Sequence, residues 1–524
     1  MSLSRLCLAI ATACATPALA QTSLISDIPS ERGGRFTGVA AGDALGTAIE
    51  AIGDINGDGR ADLAISAPGT DRGGTQNVGR VYVVFGSANP PATLDISTLN
   101  GSNGFAINSG TFLEANSALG IEVSAAGDVN NDGLDDMLIG SNRGGLANNR
   151  QGRAYVIYGR SSAFPASVDV DSLVASGSPA TGFTLTGEAN GDGFGGAVGG
   201  GGDVNGDGFD DLIIGASSAS STNGRAYVVY GRATFPNSFS VSGLTAGSGT
   251  TLTPGNNGDQ LGTSVDIGGD LNNDGRAEIL VAAFSADSNF PTVQDNVGKV
   301  YVIFGSTNPP ASFAVETLSG LDGFKLIGQT ANSGTGTPST FAGDVNGDGL
   351  QDVLIGAADA GTGAAGAVYV VYGAVGGFSN EIFLGTLNGS DGYVLTGAAA
   401  GDAAGFDVAA LGDLNSDGRS DFILSAPDAD PAGLNRAGKI YVVYGQETTP
   451  AAISLSTLET GATPGEVFRG TTADFRPETV GAALRYNGDN LPDFTIGAAA
   501  ANGAAGDAYV VFRARDRVFG NGFE

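Results

Sequence analysis

The sequence predicts an all-β fold, a seven-bladed β-propeller made of four-stranded antiparallel blades, and three observations support it. A polar loop motif recurs along the 524 residues at intervals of about 70 residues, and a fixed period indicates a repeat architecture. Each interval contains one strongly β-prone segment and has room for four strands, as in a propeller blade. No segment has the apolar spacing of a long amphipathic helix, which excludes a helical solenoid. A β-helix, which has shorter repeats, is the weaker alternative.

The loop motif first occurs in residues Asp54–Asp62, which read DINGDGRAD. Oxygen-bearing side chains stand at positions 1, 3, 5 and 9 of the motif, and a glycine stands at position 6. Calcium is a hard cation that takes about six to eight oxygen ligands. A loop that folds back on itself can supply these side chains together with the backbone carbonyl of position 7. Glycine at position 6 permits a sharp turn with a positive φ angle.

Six intact copies of the motif predict the side-chain ligands of calcium. These ligands are Asp54, Asn56, Asp58 and Asp62; Asp128, Asn130, Asp132 and Asp136; Asp203, Asn205, Asp207 and Asp211; Asp270, Asn272, Asp274 and Glu278; Asp344, Asn346, Asp348 and Asp352; and Asp413, Asn415, Asp417 and Asp421. A seventh copy, Arg485–Asp493, is degenerate, because Arg485 replaces the first acid and Asn490 replaces the glycine. We therefore expect about six calcium ions, one for each intact loop.

Two simpler interpretations of the motif fit less well. A polar hairpin turn needs only Asp-Gly between apolar runs, whereas this motif fixes five positions and brings together carboxylates that repel each other without a cation. An EF-hand loop ends in a bidentate acid at position 12. Position 12 is apolar in every intact copy here: Ile65, Ile139, Ile214, Val281, Ile355 and Leu424. The loops are therefore predicted to close β-hairpins.

Each repeat is predicted to contain the same succession of strands. An apolar run such as Leu45–Gly53 leads into the loop, and a short apolar strand such as Asp62–Ser66 follows it. After a variable linker comes the third strand, rich in aromatic and β-branched residues. Its seven copies are Val81–Phe85, Ala154–Tyr158, Ala226–Tyr230, Val300–Phe304, Val368–Tyr372, Ile440–Tyr444 and Ala508–Phe512. A fourth strand is predicted at Gly104–Ile107, Gly182–Leu185, Gly323–Leu326 and Gly392–Leu395.

The two chain ends predict how the ring closes. The segment that follows Gln21 reaches Arg35–Thr37, and the chain runs to the third strand of the seventh repeat at Phe512. We expect the N-terminal strand to join the last blade as its outer edge, which would hide an open sheet edge. Residues 21–512 would then form one propeller, and the tail 513–524 is either a frayed end or a sorting signal.

Residues 1–20 have the pattern of a secretory signal peptide, with a charged start, an apolar run and a small-residue cleavage site at Ala18–Ala20. Cys7 and Cys14 both lie within it, so the mature chain is expected to have no disulfides. We expect a secreted or cell-surface protein that is monomeric and has no transmembrane segment in its mature part.

The composition narrows the functional classes. A net charge of −31 leaves no basic face for nucleic acid or for an anionic membrane. The absence of histidine excludes Ser-His-Asp and Cys-His catalysis and histidine-based zinc sites. We therefore expect no enzyme activity, although a carboxylate pair acting on glycosides stays open as an alternative.

These features together resemble the FG-GAP repeat, the blade unit of the integrin alpha-subunit propeller and of many bacterial exported proteins. The family name describes Phe-Gly before the loop and Gly-Ala-Pro after it. The first part is represented by Leu45-Gly46, Leu119-Gly120, Phe194-Gly195 and Leu261-Gly262, and the second by Ser66-Ala67-Pro68, Gly215-Ala216, Gly356-Ala357, Ser425-Ala426-Pro427 and Gly497-Ala498. Repeats five and six depart from the first part with Thr335-Gly336 and Ala404-Gly405. The resemblance covers nearly the whole mature chain.

The resemblance implies calcium loops on one rim of the propeller and ligand binding on the opposite rim. That rim would carry the linkers between second and third strands, of which Ser285–Asn296 is the longest and Asn142–Gln151 the most polar. The expected function is therefore a calcium-binding adhesion or recognition module for an unidentified protein or glycan. A glycan-active enzyme and a structural surface component without a ligand are the alternatives.

Overall fold

A computed structural model of the chain describes residues 21–25, 32–110, 115–144, 151–174, 181–288, 295–489 and 491–513. These residues form seven separate sheets whose first strands surround a central channel. The seven-bladed β-propeller is therefore confirmed. The predicted signal peptide and residues 514–524 of the tail lie outside the described residues.

The strands of each blade are given from the channel outwards. They are Ile49–Ala51, Leu63–Ala67, Arg80–Val84, Gly104–Asn108 and Ser167–Asp169 in blade 1; Val123–Gly127, Asp136–Ser141, Arg153–Ile157, Gly182–Thr186 and Ser238–Ser240 in blade 2; Val198–Gly202, Asp211–Ala216, Arg225–Val229, Gly249–Thr253 and Ser312–Ala314 in blade 3; Leu261–Gly268, Glu278–Ala283, Lys299–Ile303, Gly323–Ile327 and Glu381–Phe383 in blade 4; Ser339–Gly343, Asp352–Ala357, Ala367–Val371, Gly392–Thr396 and Ala452–Ser454 in blade 5; Val408–Gly412, Asp421–Ala426, Lys439–Val443, Gly465–Arg469 and Gln21–Leu24 in blade 6; and Thr479–Leu484, Pro492–Ala498, Asp507–Val511, Gly33–Thr37 and Thr93–Asp95 in blade 7.

Each blade has a fifth strand that the sequence did not predict. The first four strands are antiparallel, as expected, and a short fifth strand pairs in parallel with the fourth. This fifth strand comes from the neighbouring blade. Ser167–Asp169, for example, precedes the fourth strand of blade 2 but pairs with Gly104–Asn108 of blade 1. A strand of three residues is too short to show the alternation that identifies strands in a sequence. The exchange joins each blade to the next through backbone hydrogen bonds.

The N-terminal residues close the ring in two places. Gly33–Thr37 pairs antiparallel with Asp507–Val511, which confirms that an N-terminal strand completes the last blade. This strand is not the outer edge, however, because Thr93–Asp95 pairs with its other side. Gln21–Leu24 adds a second link by pairing in parallel with Gly465–Arg469 of blade 6. The first described strands, Gln21–Leu24 and Gly33–Thr37, and the last described strand, Asp507–Val511, are therefore held in the ring.

The described helices are short and lie in the linkers between strands. The α-helices are Ala219–Thr222, Ser456–Glu459 and Ala501–Ala504, and the 3₁₀-helices are Ile96–Thr98, Val170–Val174, Val241–Gly243, Val315–Thr317, Leu384–Thr386 and Pro431–Gly433. Within the described ranges, no helix has the length and apolar character needed to cross a membrane.

The apolar core lies between neighbouring blades. Every residue of second strands such as Leu63–Ala67 is buried. Phe105 of blade 1 packs in one cluster with Ile139 and Tyr155 of blade 2. Each third strand also buries a tyrosine, with at most 4% of its surface exposed: Tyr82, Tyr155, Tyr227, Tyr301, Tyr369, Tyr441 and Tyr509. Packing between blades thus fixes the second and third strands, and the polar loops are left at the two rims.

Replacing Phe36 by alanine tests the closure of the ring. Phe36 lies in the N-terminal strand of blade 7 and is 3% exposed. We expect the free energy of unfolding to fall by about 3–5 kcal/mol, because a buried aromatic side chain is replaced by a cavity. Val39→Ala is the control, since Val39 is 54% exposed and lies just after the strand. Equal unfolding curves for the two variants in urea would contradict the observed closure.

Candidate calcium loops

All seven loop motifs connect the first strand of a blade to the second. Because alternate turns of an antiparallel sheet lie at opposite ends, the seven loops share one rim of the propeller. We call this rim the loop rim. The linkers from second to third strands and from each fourth strand to the next blade lie at the other end, which we call the linker rim. This placement agrees with the expectation drawn from the resemblance.

The acid at position 1 of each intact loop shapes the turn. The carboxylate of Asp54 accepts the backbone N–H groups of Asp58 at 3.0 Å and Gly59 at 2.7 Å. The equivalent pair of hydrogen bonds is made by Asp128, Asp203, Asp270, Asp344 and Asp413. The loop backbone is therefore folded around the first predicted ligand in all six copies.

The acid at position 9 connects the loop to the rest of its blade. Asp62 is completely buried, and its carboxylate accepts the N–H of Ile55 at 3.1 Å and the N–H of Gly86 at 2.8 Å. Gly86 follows the third strand. Four other intact loops repeat the contact to the glycine, from Asp136 to Gly159, Asp211 to Gly231, Asp352 to Gly373 and Asp421 to Gly445.

The backbone of the loops confirms the expected positive φ at position 6 and shows a second positive φ at position 4. The glycine at position 6 has a positive φ in every intact copy, for example 86° at Gly59. Position 4 also has a positive φ, with 75° at Gly57, 56° at Asn131 and 62° at Ser416. Sequence reasoning missed position 4, although glycine or asparagine occupies it in five of the six intact loops, and asparagine is among the non-glycine residues enriched in this conformation.

Several predicted ligand atoms have no partner within the protein. The Oδ1 atoms of Asn130 and Asn272 and the Oε1 atom of Glu278 are buried and accept no hydrogen bond. A buried polar atom without a partner is costly, and these three are oxygens at predicted ligand positions. The residues therefore fit a cation that prefers oxygen. Among the described residues, no three acidic side chains converge into a metal cluster by themselves, so the asparagine and the position 7 carbonyl oxygens are needed to complete a ligand set.

The acids at position 9 of the loops are poorly solvated, and this raises their pKa values. Burial raises the pKa of Asp62 to about 8, and the nearby carboxylates of Asp58 and Asp54 raise it as well. The same causes raise the pKa of Asp136, Asp211 and Glu278 to about 8 and that of Asp352 and Asp421 to about 7. A divalent cation would favour the ionised form of these acids.

Two acids that sequence reasoning missed connect neighbouring loops. The carboxylate of Asp135 in blade 2 accepts the backbone N–H of Asp54 in blade 1 at 2.7 Å. Asp210 of blade 3 makes the same contact with Asp128 of blade 2 at 2.8 Å. Their signal in the sequence is an Asp-Asp pair at positions 8 and 9, present only in these two loops.

The degenerate seventh loop keeps part of the turn. Asp489 accepts the N–H of Leu491 at 2.9 Å, and Asp493 is completely buried. Arg485 stands where the other loops have the acid that accepts two amides, so that acceptor is lost. Asn490 lies outside the described residues. The replacement of the position 1 acid by Arg485 is by itself enough to predict an incomplete ligand set in this loop.

The linker rim is stabilised by a recurring aspartate that sequence reasoning also missed. Asp43 accepts the N–H of Ala40 at 3.1 Å, and Asp192 accepts the N–H of Ala189 at 2.9 Å. Asp259 and Asp402 make the equivalent contact. Their signal is an aspartate two residues before the first-strand dipeptide of Leu-Gly type. Parts of the predicted binding linkers, residues 145–150 and 289–294, lie outside the described residues.

Comparison with known proteins supports the resemblance. The FG-GAP repeat model matches residues 46–84, 120–157, 194–229, 337–371 and 404–443, which belong to blades 1, 2, 3, 5 and 6. Five of the seven blades therefore contain a segment that matches the FG-GAP repeat. Phosphatidylinositol-glycan-specific phospholipase D of Mus musculus is 30% identical over 182 residues, which are 33% of this chain and 19% of that protein. Integrin alpha-IIb of Homo sapiens is 30% identical over 173 residues, which are 31% of this chain and 14% of that protein. Integrin alpha-7 of Homo sapiens is 31% identical over 196 residues, which are 36% of this chain and 14% of that protein. The chain thus spans a fifth or less of the length of these relatives.

The buried loop acids predict a falling stability with rising pH in calcium-free protein. Their pKa values near 7 to 8 in the folded state exceed the value of about 4 expected in the unfolded chain. The folded state then binds more protons than the unfolded state in this window, so stability falls as the pH rises from about 5 to about 8. Thermal unfolding of protein passed over a chelating resin measures this. A midpoint that rises over the same range would contradict it.

Proposed function

We propose that this FG-GAP repeat propeller is an exported calcium-binding protein that recognises a protein or a glycan at the cell surface or outside the cell. The observation that carries the proposal is the set of buried, unpartnered oxygens at ligand positions Asn130, Asn272 and Glu278. The similarity to integrin alpha chains supports the same class of function. The signal-peptide pattern of residues 1–20 supports export.

Calcium would be held by the four oxygen side chains of each intact loop and by the carbonyl of position 7. When bound, it supplies positive charge that offsets the repulsion among the loop acids. About six ions would offset twelve of the 31 net negative charges. The chain's own contribution is to fold each loop in advance, as Asp54 does by accepting the amides of Asp58 and Gly59. Weak sites would suffice outside a cell, where modules typically bind calcium at about 10⁻⁴–10⁻³ M.

The linker rim is the proposed binding surface. Its linkers differ in length and sequence between blades, whereas the strands that carry them repeat, and binding residues commonly lie on variable loops held by a rigid scaffold. Aspartates such as Asp43 and Asp192 hold these loops in place. Apolar side chains such as Val39 and Leu434 are exposed there, and they offer positions at which contact with a partner can be tested.

Recognition is favoured over catalysis for this fold. The chain contains no histidine, and the acids of the loops are engaged in shaping the turns or are reserved for calcium. Hydrolysis of a polysaccharide by carboxylates and a purely structural role are the competing outcomes of the experiments below.

Replacing Asp58 by asparagine tests the calcium assignment. Asp58 accepts the N–H of Arg60 at 3.0 Å, and the amide oxygen of asparagine can keep that hydrogen bond while the charge is removed. We expect about six calcium ions in the native protein and one fewer in the variant, by one ion per loop. The thermal midpoint should fall in calcium and stay nearly unchanged in EGTA.

Glu447→Gln is the matched control, since Glu447 is an exposed acid of the loop rim outside the motifs. It should leave both the metal content and the midpoints unchanged. Two or fewer ions in native protein at saturating calcium would overturn the assignment. An equal loss of stability in calcium and in EGTA would show that Asp58 only forms the turn.

Four exposed apolar residues allow a matched test of the two rims. Leu434 and Val39 lie on the linker rim, whereas Val375 and Leu321 lie at the loop rim and are 71% and 92% exposed. The calcium-loaded protein is first screened for saturable binding to arrays of glycans and of extracellular proteins. Glutamate at Leu434 and Val39 should then weaken binding about tenfold or more, a loss of ~1.4 kcal/mol. Glutamate at Val375 and Leu321 should leave it unchanged.

Each alternative outcome of the binding screen and of the rim variants would assign a different role to the protein. Loss of binding only in the Val375 and Leu321 variants would move the binding surface to the loop rim. Turnover of a polysaccharide during the screen would favour the enzyme. Intact protein with neither binding nor turnover would favour a structural surface component.

A further inference from the structure

The channel enclosed by the first strands contains four acidic side chains. Its volume is about 510 Å³, which lies within the range of about 300–1,000 Å³ typical of small-molecule sites. Glu50 of blade 1, Glu122 of blade 2, Asp266 of blade 4 and Asp407 of blade 6 line it. Among the described residues that line this channel there is no lysine or arginine. None of these acids belongs to a calcium loop.

The four acids occupy two levels of the channel. Glu122 and Asp407 lie six residues before the first acid of their loops, and Glu50 and Asp266 lie four residues before it. Residues two apart in a strand point to the same face and are about 7 Å apart. The two acids of each level come from blades that are three apart in the ring of seven, so they stand on opposite walls. The channel therefore presents two facing pairs of carboxylates along its length.

Within the described residues, these acids have amide and hydroxyl partners but no cationic one. Asp266 accepts the hydroxyl of Thr340 at 2.8 Å, and Asp407 accepts the N–H of Val480 at 2.8 Å. Burial raises the pKa of Glu50 well above its usual range, and the charges of the other three acids raise it as well. Carboxylates that face each other in a narrow cleft focus a negative potential there and attract cations.

One further observation at the same channel points to a ligand. Phe406 lines the channel seven residues before its loop, at the end that opens towards the linker rim. Phe406 is 41% exposed, and an accessible aromatic face at the mouth of an acidic channel suits an organic cation.

We propose that the central channel binds an elongated organic cation with two or more ammonium groups, of the linear polyamine type. The two levels of facing carboxylates would each receive one ammonium group, and the alkyl chain would span the distance between the levels. A single metal ion fits less well, because no three acids of the described chain converge on one point. This site is separate from the calcium loops and does not depend on them.

Calorimetric titration of the calcium-loaded protein with spermidine tests the proposal, with butylamine as the single-charge comparison. Saturating calcium keeps the loops filled, so the amine cannot act as their counter-ion. We expect saturable binding of spermidine, and binding weaker by about tenfold or more in the double variant Glu50→Gln, Asp407→Asn. A tenfold change equals ~1.4 kcal/mol. Butylamine should bind much more weakly than spermidine, because it engages only one level.

The control separates the channel from general attraction to a chain of net charge −31. Glu447→Gln removes an exposed acid outside the channel and should bind spermidine as the native protein does. The thermal midpoint should rise with spermidine in the native protein and in Glu447→Gln but not in the double variant, which also shows that each variant is folded. Equal spermidine binding in native protein and double variant would overturn the proposal. So would the loss of one calcium ion in the double variant, since the channel would then hold a metal.

Discussion

In five of the seven blades, one buried aspartate that accepts the amide of a glycine connects the three inner strands. Asp62 lies at the start of the second strand, accepts an amide from the loop that follows the first strand, and accepts the amide of Gly86 beyond the third. Four further blades repeat this arrangement with an aspartate. A buried acid is stabilised only when its oxygens are satisfied, so the position of the loop and the position of the strands depend on each other. The loop is therefore an integral part of the blade.

Blade 4 shows how closely this arrangement depends on side-chain length. Its ninth position is Glu278, whose carboxylate reaches the amide of Leu271 at 3.2 Å, while the other oxygen is left without a partner. The additional methylene of glutamate moves that oxygen away from the contact that aspartate makes in other blades. The same oxygen is then available to a bound cation. One carboxylate oxygen at position 9 thus either accepts the amide beyond the third strand, as in the blades with aspartate, or remains free for a cation, as in blade 4.

Two regions of the fold, the loops and the central channel, carry much of the negative charge of the chain. Much of it lies in the loops at one rim, where calcium would offset it. A smaller part lies in the channel, where Glu50, Glu122, Asp266 and Asp407 have no cation from the protein within the described residues. Neutral first strands would have been enough to enclose a channel, as Val198–Gly202 of blade 3 does without any acid. Asp266 and Asp407 also accept hydrogen bonds from the first strands of blades 5 and 7, and the four acids together form the proposed cation site.

The sequence by itself determined the number of blades, the order of their strands and the loop residues, because each repeat carries the same short-range pattern. Glycine at position 6 and the acids at positions 1 and 9 act within a few residues of each other, so their spacing along the chain is enough to identify them. It could not show the fifth strands, whose three residues pair only with a neighbouring blade. It also could not show the link from Asp135 to the amide of Asp54, or the facing acids of the channel, because Glu50 and Asp266 come from blades far apart in the chain. Only closure of the ring brings such residues together, and those contacts were decided by the tertiary structure.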